Sequence, residues 1–384
     1  MDFELSKEQK AIQKAARDFA EGEFDRDLAM EYDQNHKFPF DLWKKACKLG
    51  FVGMHFPEEF GGQGYGIFEN VLVIEEFCRR DIGFGVAVVI PSFGTEMILR
   101  FGTDEQKARY LPAVVAGEAI SAAAFTEPDH GSDITSVSTT ALREGDEYVV
   151  NGTKIFISNG SIANFVVVLC QTNPDARPPH RGMSIILVET DRVGFEATEI
   201  GAKMGFKMTS TAQLNFNGVR VPVSNLVGQE NRGFHQAVEF FDETRIEVAA
   251  QAVGAAQGAF ERALDYAKRR KQFGRRLADF QAIQHKLAEM ATKIETARLI
   301  TYKAAWTFDS GKLDPRLSSM AKLYAARAAL EVCEEAIQIF GGAGYMLENE
   351  VERYYRDVRV LDILEGAREI QKNTIAAILV GREE

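Results

Sequence analysis

Tyr148-Val149-Val150-Asn151-Gly152-Thr153-Lys154-Ile155-Phe156-Ile157 decides the fold class of this 384-residue chain. Two apolar, β-prone runs flank Asn-Gly, the strongest short hairpin signal, so the stretch is read as a β-hairpin turning at Asn151-Gly152. Asn159-Gly160 marks a second turn. Phe165-Val166-Val167-Val168-Leu169-Cys170 and Met183-Ser184-Ile185-Ile186-Leu187-Val188 are further strands, and Gly218-Val219-Arg220-Val221-Pro222 closes the β-rich segment.

Outside that segment the pattern is helical. Ser6 is a plausible N-cap for a helix with Ile12, Ala15, Ala16 and Phe19 on one face. Phe56 to Gly64 is a loop by its Pro and Gly content, and helical patterning resumes through Ile74, Phe77 and Cys78. After the strands, Phe234, Ala237, Val238, Phe241, Val248, Ala252, Ala255, Ala259 and Ala263 recur every three to four residues. So many alanines allow neighbouring helices to approach closely. Gln281 to Ala304 behaves alike, and Asp309 to Pro315 is a polar turn. The expectation is α, then β, then α, with domains at 1–120, 121–228 and 229–384.

Composition narrows the function. A net charge of −11 disfavours nucleic acid as the main partner. No apolar run reaches the roughly 18 residues of a membrane span. Met1-Asp2-Phe3-Glu4-Leu5-Ser6 lacks the basic and apolar regions of a signal peptide, which points to the cytoplasm. Cys47, Cys78, Cys170 and Cys333 are far apart and read as reduced, mostly buried thiols. The six histidines show no metal spacing, so no metal site is expected.

Three motifs carry chemistry. Glu365-Gly366 sits in Leu364-Glu365-Gly366-Ala367-Arg368-Glu369-Ile370-Gln371, after the glycine-rich Gln338 to Tyr345. A carboxylate beside a flexible glycine in an apolar region suits a proton-abstracting base, because desolvation strengthens it. It equally suits a helix cap. Phe125-Thr126-Glu127-Pro128-Asp129-His130-Gly131-Ser132-Asp133 joins turn formers to hydroxyls that face a ligand or cap their own loop. Arg269-Arg270-Lys271-Gln272-Phe273-Gly274-Arg275-Arg276, followed by Phe280-Gln281, sets five basic residues around one aromatic in an acidic chain. It reads as a phosphate clamp or a solvated helix end. Gly341-Gly342-Ala343-Gly344 lacks the third glycine of a dinucleotide fingerprint and lies between helices, which disfavours a Rossmann half.

In this order and spacing, the three motifs resemble the acyl-CoA dehydrogenase family of flavoenzymes. Thr209-Ser210-Thr211 with Phe216 to Pro222, Phe241-Asp242-Glu243-Thr244-Arg245 and Ile370-Gln371-Lys372-Asn373 extend the resemblance along nearly the whole chain. It implies an α+β fold: an N-terminal helical domain, a small middle β-barrel-like domain and a C-terminal four-helix bundle. It implies α,β-dehydrogenation of an acyl-CoA thioester to a trans-2-enoyl-CoA. Glu365 matches the base, the β-hydride goes to flavin N5, and electrons pass to electron-transfer flavoprotein. The Glu365 N–H and a ribityl hydroxyl match the donors to the thioester oxygen, and Gly366 the glycine under the thioester. Some subfamilies carry the base at the position of Thr244, and threonine there supports Glu365. Glu243 is expected to be a surface or ion-paired carboxylate.

For FAD, the resemblance implies Phe125, Thr126 and Ser132 in a contact loop, Phe156 beside the isoalloxazine ring and Ser158 near N5. Arg270, Phe273, Gln281, Gln338 and Gly342 match residues that reach the flavin of an adjacent subunit, which implies a homotetramer. Ser132, Asp242 and Arg245 match the CoA path, although Arg245 also suits an intrahelical pair with Asp242 or Glu243. Pro91 is expected to break a helix at Val89-Ile90-Pro91-Ser92 and reshape the acyl pocket. Phe84 matches the glutaryl-type arginine position, which argues against a glutaryl substrate. Arg368 reads either as a receptor for a second carboxylate or as a partner of Glu365 or Glu369. Aliphatic, branched, alicyclic and aromatic acyl groups stay open. So do an O₂-using oxidase or hydroxylase of the same fold and a noncatalytic binding scaffold.

Overall fold

The computed structural model describes residues 4–381. Met1, Asp2 and Phe3, on which part of the N-terminal reading rests, lie outside the described residues. Seven helices come first: α1 (Lys7–Glu23), α2 (Arg26–Asn35), α3 (Phe40–Lys48), α4 (Ile67–Arg80), α5 (Ile82–Val89), α6 (Thr95–Phe101) and α7 (Asp104–Val115). Ser6 caps α1 through a reciprocal box with Gln9. Ala16 and Phe19 are buried as expected, but Ala15 faces solvent and Ala20 takes its place. Pro91 ends α5, and the chain passes through a 3₁₀ turn at Ile90–Ser92. Against the expectation that no apolar run is long enough to span a membrane, Ile82–Phe101 is, but it is broken at Pro91 and mostly buried inside the fold.

Eight strands follow: β1 (Ser121–Ala124), β2 (Thr140–Glu144), β3 (Glu147–Ser158), β4 (Phe165–Gln171), β5 (Met183–Glu189), β6 (Phe195–Glu199), β7 (Thr211–Pro222) and β8 (Leu226–Val227). They form one sheet in the order β6-β7-β3-β2-β4-β5-β8, with β1 parallel to β4. The expected turn at Asn151-Gly152 is absent. β3 runs straight through it, and Val150 pairs with Val219 while Asn151 pairs with Asn217. The extra residue makes a bulge, which Asn151 bridges by accepting the Gly218 N–H at 2.8 Å. The chain reverses instead at Gly145-Asp146, where Glu144 pairs with Glu147. Strand β4 is buried on both faces. Phe165, Val167 and Leu169 share a core with α7, and Val166, Val168 and Cys170 share another with α5.

The C-terminal part holds α8 (Gly233–Arg269), a small hairpin of β9 (Lys271–Gln272) and β10 (Arg275–Arg276), then α9 (Gln281–Asp309), α10 (Pro315–Phe340), α11 (Val351–Leu361) and α12 (Arg368–Val380). The alanine face of α8 does what its composition suggests. Ala249, Ala252, Ala255, Ala256, Ala259 and Ala263 are buried against α4, α9 and α10. Contact with α4 is closest at Gly258, where an added Cβ would lie 2.1 Å from the Arg79 carbonyl. The polar turn after α9 is also a joint, because Asp309 accepts the Ile67 and Phe68 N–H groups at 2.8 Å each and so caps α4. The four cysteines are buried and free.

Candidate active site

Glu365 lies in the turn between α11 and α12. Its φ of +53° is left-handed, and Gly366 follows at +92°. A non-glycine residue in that region is uncommon and costs about 1–3 kcal/mol. The surroundings enforce it. Gln371 Nε2 donates to the carbonyls of Glu365 (2.8 Å) and Gly366 (2.9 Å), and Lys322 Nζ donates to the Gly366 carbonyl at 2.8 Å. A side chain at Gly366 would strike Gln371 at 2.7 Å. The Glu365 N–H has no acceptor among the described residues.

The carboxylate is held from α8. Thr244 Oγ1 donates to Glu365 Oε2 at 2.6 Å. Arg245 Nε approaches the Glu365 carbonyl at 3.4 Å. Burial pushes the Glu365 carboxyl above the usual carboxylate range, while the Thr244 hydrogen bond, Arg245 and Lys322 pull it back. Burial also brings Lys322 down to about 8. A base is thereby strengthened yet still able to lose its proton.

Arg245 forms the intrahelical pair with Asp242, at 3.3 Å, and Asp242 also accepts from Ser318 at 3.1 Å. Asp242 and Ser318 line a narrow cleft with Ile246, Phe308 and Lys312. Glu243 is ion-paired, but not on the surface: it is buried and held by Arg100. Arg368 pairs with Asp362 rather than with Glu365 or Glu369. Phe84 is packed against Phe24 and Tyr32 in the N-terminal core. It therefore says nothing about the acyl group.

A second group gathers at the middle sheet. The Ile155 N–H donates to the Thr126 carbonyl at 2.9 Å, which brings the Phe125–Ser132 loop beside Phe156 and Ser158. Beneath it, Lys154 Nζ donates to the Phe125 carbonyl and to Glu127 Oε1, both at 2.9 Å. Glu127 in turn accepts the Ser138 and Thr139 N–H groups. The Phe125 ring is buried on Phe240 and Phe241, so only its backbone is open to a ligand. Phe156 is the reverse: at φ +60° it shows 64% of its surface. The hydroxyls of Thr126, Ser132 and Ser158 make no hydrogen bond to described residues.

A third group is remote from both. Arg270 ends α8, Phe273 stands 94% exposed at the β9–β10 turn, and Gln281 starts α9. Tyr266 stacks on Phe340 at 4.2 Å, which ties the end of α10, with Gln338 and Gly342, to the last turns of α8. The side chains of Arg270, Gln281 and Gln338 have no partner among the described residues. Lys322 lies outside the quoted motifs, and the roles of Gln371, Lys154 and Glu127 within them show only in the packed structure. The apolar stripe of a helix or the alternation of a strand hides them.

A helical–β–helical enzyme with a half-buried carboxylate and an exposed aromatic platform is the class that fold and site define. Family models agree over the whole length: acyl-CoA dehydrogenase N-terminal domain at residues 6–118, middle domain at 122–219 and C-terminal domain at 231–380. The chain is 41% identical to acryloyl-CoA reductase (NADH) of Anaerotignum propionicum, covering 100% of this chain and 97% of the relative. It is 40% identical to the CarC subunit of the caffeyl-CoA reductase–Etf complex of Acetobacterium woodii, over 98% and 99%. The solved butyryl-CoA dehydrogenase of Megasphaera elsdenii superposes with a TM-score of 0.95 at 36% identity, over 99% and 100%. The chain belongs to the acyl-CoA dehydrogenase family: it is an FAD flavoprotein and an oxidoreductase acting on the CH–CH bond of acyl-CoA.

Proposed function

We propose that this enzyme interconverts an acyl-CoA and its trans-2-enoyl-CoA with Glu365 as the base for the α-proton. The observation that carries this is the Thr244 hydroxyl held against a desolvated Glu365 carboxylate, with Arg245 and Lys322 behind it. Thr244 keeps one oxygen fixed, so the other is free to take the proton. The unpaired Glu365 N–H is a donor for the thioester oxygen, where negative charge grows as the proton leaves. Gly366, Ser132, Asp242 and Arg245 flank the substrate, and the cleft beside Asp242 and Lys312 is the route for the CoA chain.

The chain's own residues fit the cofactor. Phe156 offers an exposed flat face for a ring system, and the uncommitted hydroxyls of Thr126, Ser132 and Ser158 offer hydrogen bonds. FAD held there would supply the acceptor for the β-hydride. Arg270, with a planar fork suited to pyrophosphate, and Gln281, Gln338, Gly342 and Phe273 lie away from that loop in one chain. They therefore serve the flavin of a neighbouring subunit. Exposed Leu299, Trp306, Tyr324 and Tyr345 on the bundle support a homotetramer. The electron partner is electron-transfer flavoprotein, as the name of the Acetobacterium relative suggests, and the setting is the cytoplasm. Relatives named as reductases favour a second reading in which the same residues run the reaction toward the saturated thioester.

The test is Glu365→Gln. It keeps FAD and CoA binding and slows anaerobic flavin reduction by about 10²–10⁴-fold. Near-normal reduction would sink the assignment.

A further inference from the structure

Three side chains near the base have no part in that chemistry: His55, Glu96 and Glu247. They come from the loop after α3, from α6 and from α8, yet one ligand atom of each lies within 4.8 Å of the other two. Glu96 is buried. The His55 imidazole is only 5% exposed, and neither ring nitrogen has a hydrogen-bond partner. Each unmet buried polar group costs about 1–3 kcal/mol.

The carboxyls are half committed. Glu96 accepts the Gly94 N–H at 2.8 Å, and Glu247 accepts from Asn70 at 2.7 Å. Glu96 also takes its own backbone N–H, and Asn70 is the one side chain that donates to Glu247 among the described residues. Arg100 is ion-paired with Glu243 and offsets the charge of Glu96 only in part. His55 Nε2 is 3.9 Å from Glu243, beyond hydrogen-bond range. Glu96, Glu243 and Glu247 thus face a single cation. Burial and mutual repulsion push Glu96 up to about 8 and Glu247 well above the carboxylate range, and burial brings His55 down to about 4. Burial and repulsion thus favour the neutral forms of both acids and of the imidazole.

The cluster also lies in the right place. Glu247 is three residues beyond Thr244 on α8, nearly one helical turn or about 5 Å along the same face. Thr244 fixes Glu365, so an acyl group with its α-carbon at Glu365 can extend its tail toward Glu247. Three acceptors no more than 4.8 Å apart enclose a point about 2.8 Å from each, the length of an N⁺–H···O hydrogen bond. An ammonium has three donors.

We propose that His55, Glu96 and Glu247 form a specificity pocket for an acyl group ending in an ammonium, on a chain of about four to six carbons. The proposal rests on the reading of Glu365 as the base. The cation takes the place of one proton shared by the two carboxyls, and its three donors reach one oxygen of each and the imidazole nitrogen.

The experiment compares 4-aminobutyryl-, 5-aminovaleryl- and 6-aminohexanoyl-CoA with their methyl-ended counterparts in anaerobic flavin reduction by the holoenzyme. At least one amino thioester should exceed its counterpart about 100-fold in kcat/KM, and Glu96→Gln or Glu247→Gln should lower that ratio at least tenfold. Taking the ratio within each variant cancels any shared loss of folded enzyme. A second measurement needs no turnover. Calorimetry with the thioether analogue of 5-aminovaleryl-CoA, in buffers of different ionisation heat, should show release of about one proton per site near pH 7. The methyl-ended analogue should release none.

Flavin bleached equally well or better by methyl-ended thioesters overturns the pocket and leaves the dehydrogenase reading standing. Ammonium-selective binding with proton release, but no bleaching by any thioester, keeps the pocket and removes the dehydrogenase reading. Neither signal overturns both. Stoichiometric Zn²⁺ binding that Glu247→Gln abolishes, without an amino preference, overturns the ammonium in favour of a metal.

Discussion

Replacing Thr244 by valine removes one hydroxyl and nothing else of note. That hydroxyl donates to the Glu365 carboxylate at 2.6 Å. A hydrogen bond to a charged group contributes about 1.5–3 kcal/mol, and one pKa unit corresponds to 1.36 kcal/mol. The bond favours the ionised form, so its loss raises the Glu365 pKa by about one to two units. Burial already holds that pKa up, and Arg245 and Lys322 remain to oppose it. The base must be ionised to take the α-proton. The acid limb of the single-turnover flavin-reduction profile should therefore move to higher pH by about one to two units. Below both pKa values the rate falls about 10–100-fold, and it recovers as pH rises. The assay is stopped-flow bleaching under anaerobic conditions from pH 5.5 to 9.5, the range being an experimental choice of about four units around the usual optimum of a tuned base. An unmoved acid limb, or a loss that is the same at every pH, would refute the reasoning.

Lys154→Met should lower the unfolding free energy by about 3–5 kcal/mol at pH 7, since it strands the buried Glu127 carboxylate. Burial opposes ionisation of Glu127, but Lys154 and its hydrogen bonds bring it down to about 2, from 4.5. Its contribution is therefore present above pH 4.5 and is lost as pH falls toward 2. Urea titrations at several pH values should show that acid-side loss in the parent and not in the variant; a change below about 1 kcal/mol would count against the pair. Arg270→Ala should lower the FAD-to-protein ratio after gel filtration, with subunit mass followed by light scattering. An unchanged ratio would remove Arg270 from the cofactor site. Arg368→Ala should leave the preference between glutaryl- and valeryl-CoA unchanged, and stability within about 1 kcal/mol, because Arg368 is committed to Asp362. A selective loss with glutaryl-CoA would restore a role in reading a second carboxylate.

Linear motifs expose what a contiguous segment does. Glu365-Gly366 stood out because a carboxylate and a flexible glycine are adjacent in the chain. The order α, β, α was legible because the hydrophobic period changes near residue 121 and again after 228. Asn151-Gly152 misled because its turn chemistry serves a bulge: the Asn151 amide closes the gap opposite Gly218, and Gly152 approaches Thr139 closely. The true reversal at Gly145-Asp146 is the less emphatic signal. Partners set by packing were not legible at all. Arg368 finds Asp362 only once the α11–α12 turn forms. His55, Glu96 and Glu247 span nearly two hundred residues and meet only when α6 and α8 pack.

The acids on α8 and its neighbours also show why Glu365, of the three, suits the role of base that we propose. Glu365 and Glu247 interact directly, since the charge of Glu365 is among the causes that raise Glu247. Two such carboxyls titrate as a pair, and the one with better support for its charge ionises first. Glu365 has Thr244, Arg245 and Lys322. Glu247 has Asn70 alone, against repulsion from Glu96, Glu243 and Glu365. The donors therefore favour charge on Glu365, in the α11–α12 turn, over charge on Glu247, which lies on α8 three residues beyond the Thr244 that holds Glu365. Glu243 cannot compete for the role, because Arg100 already holds its oxygen. In this proposal the base is set by which carboxyl the fold supplies with donors, since desolvation raises all three.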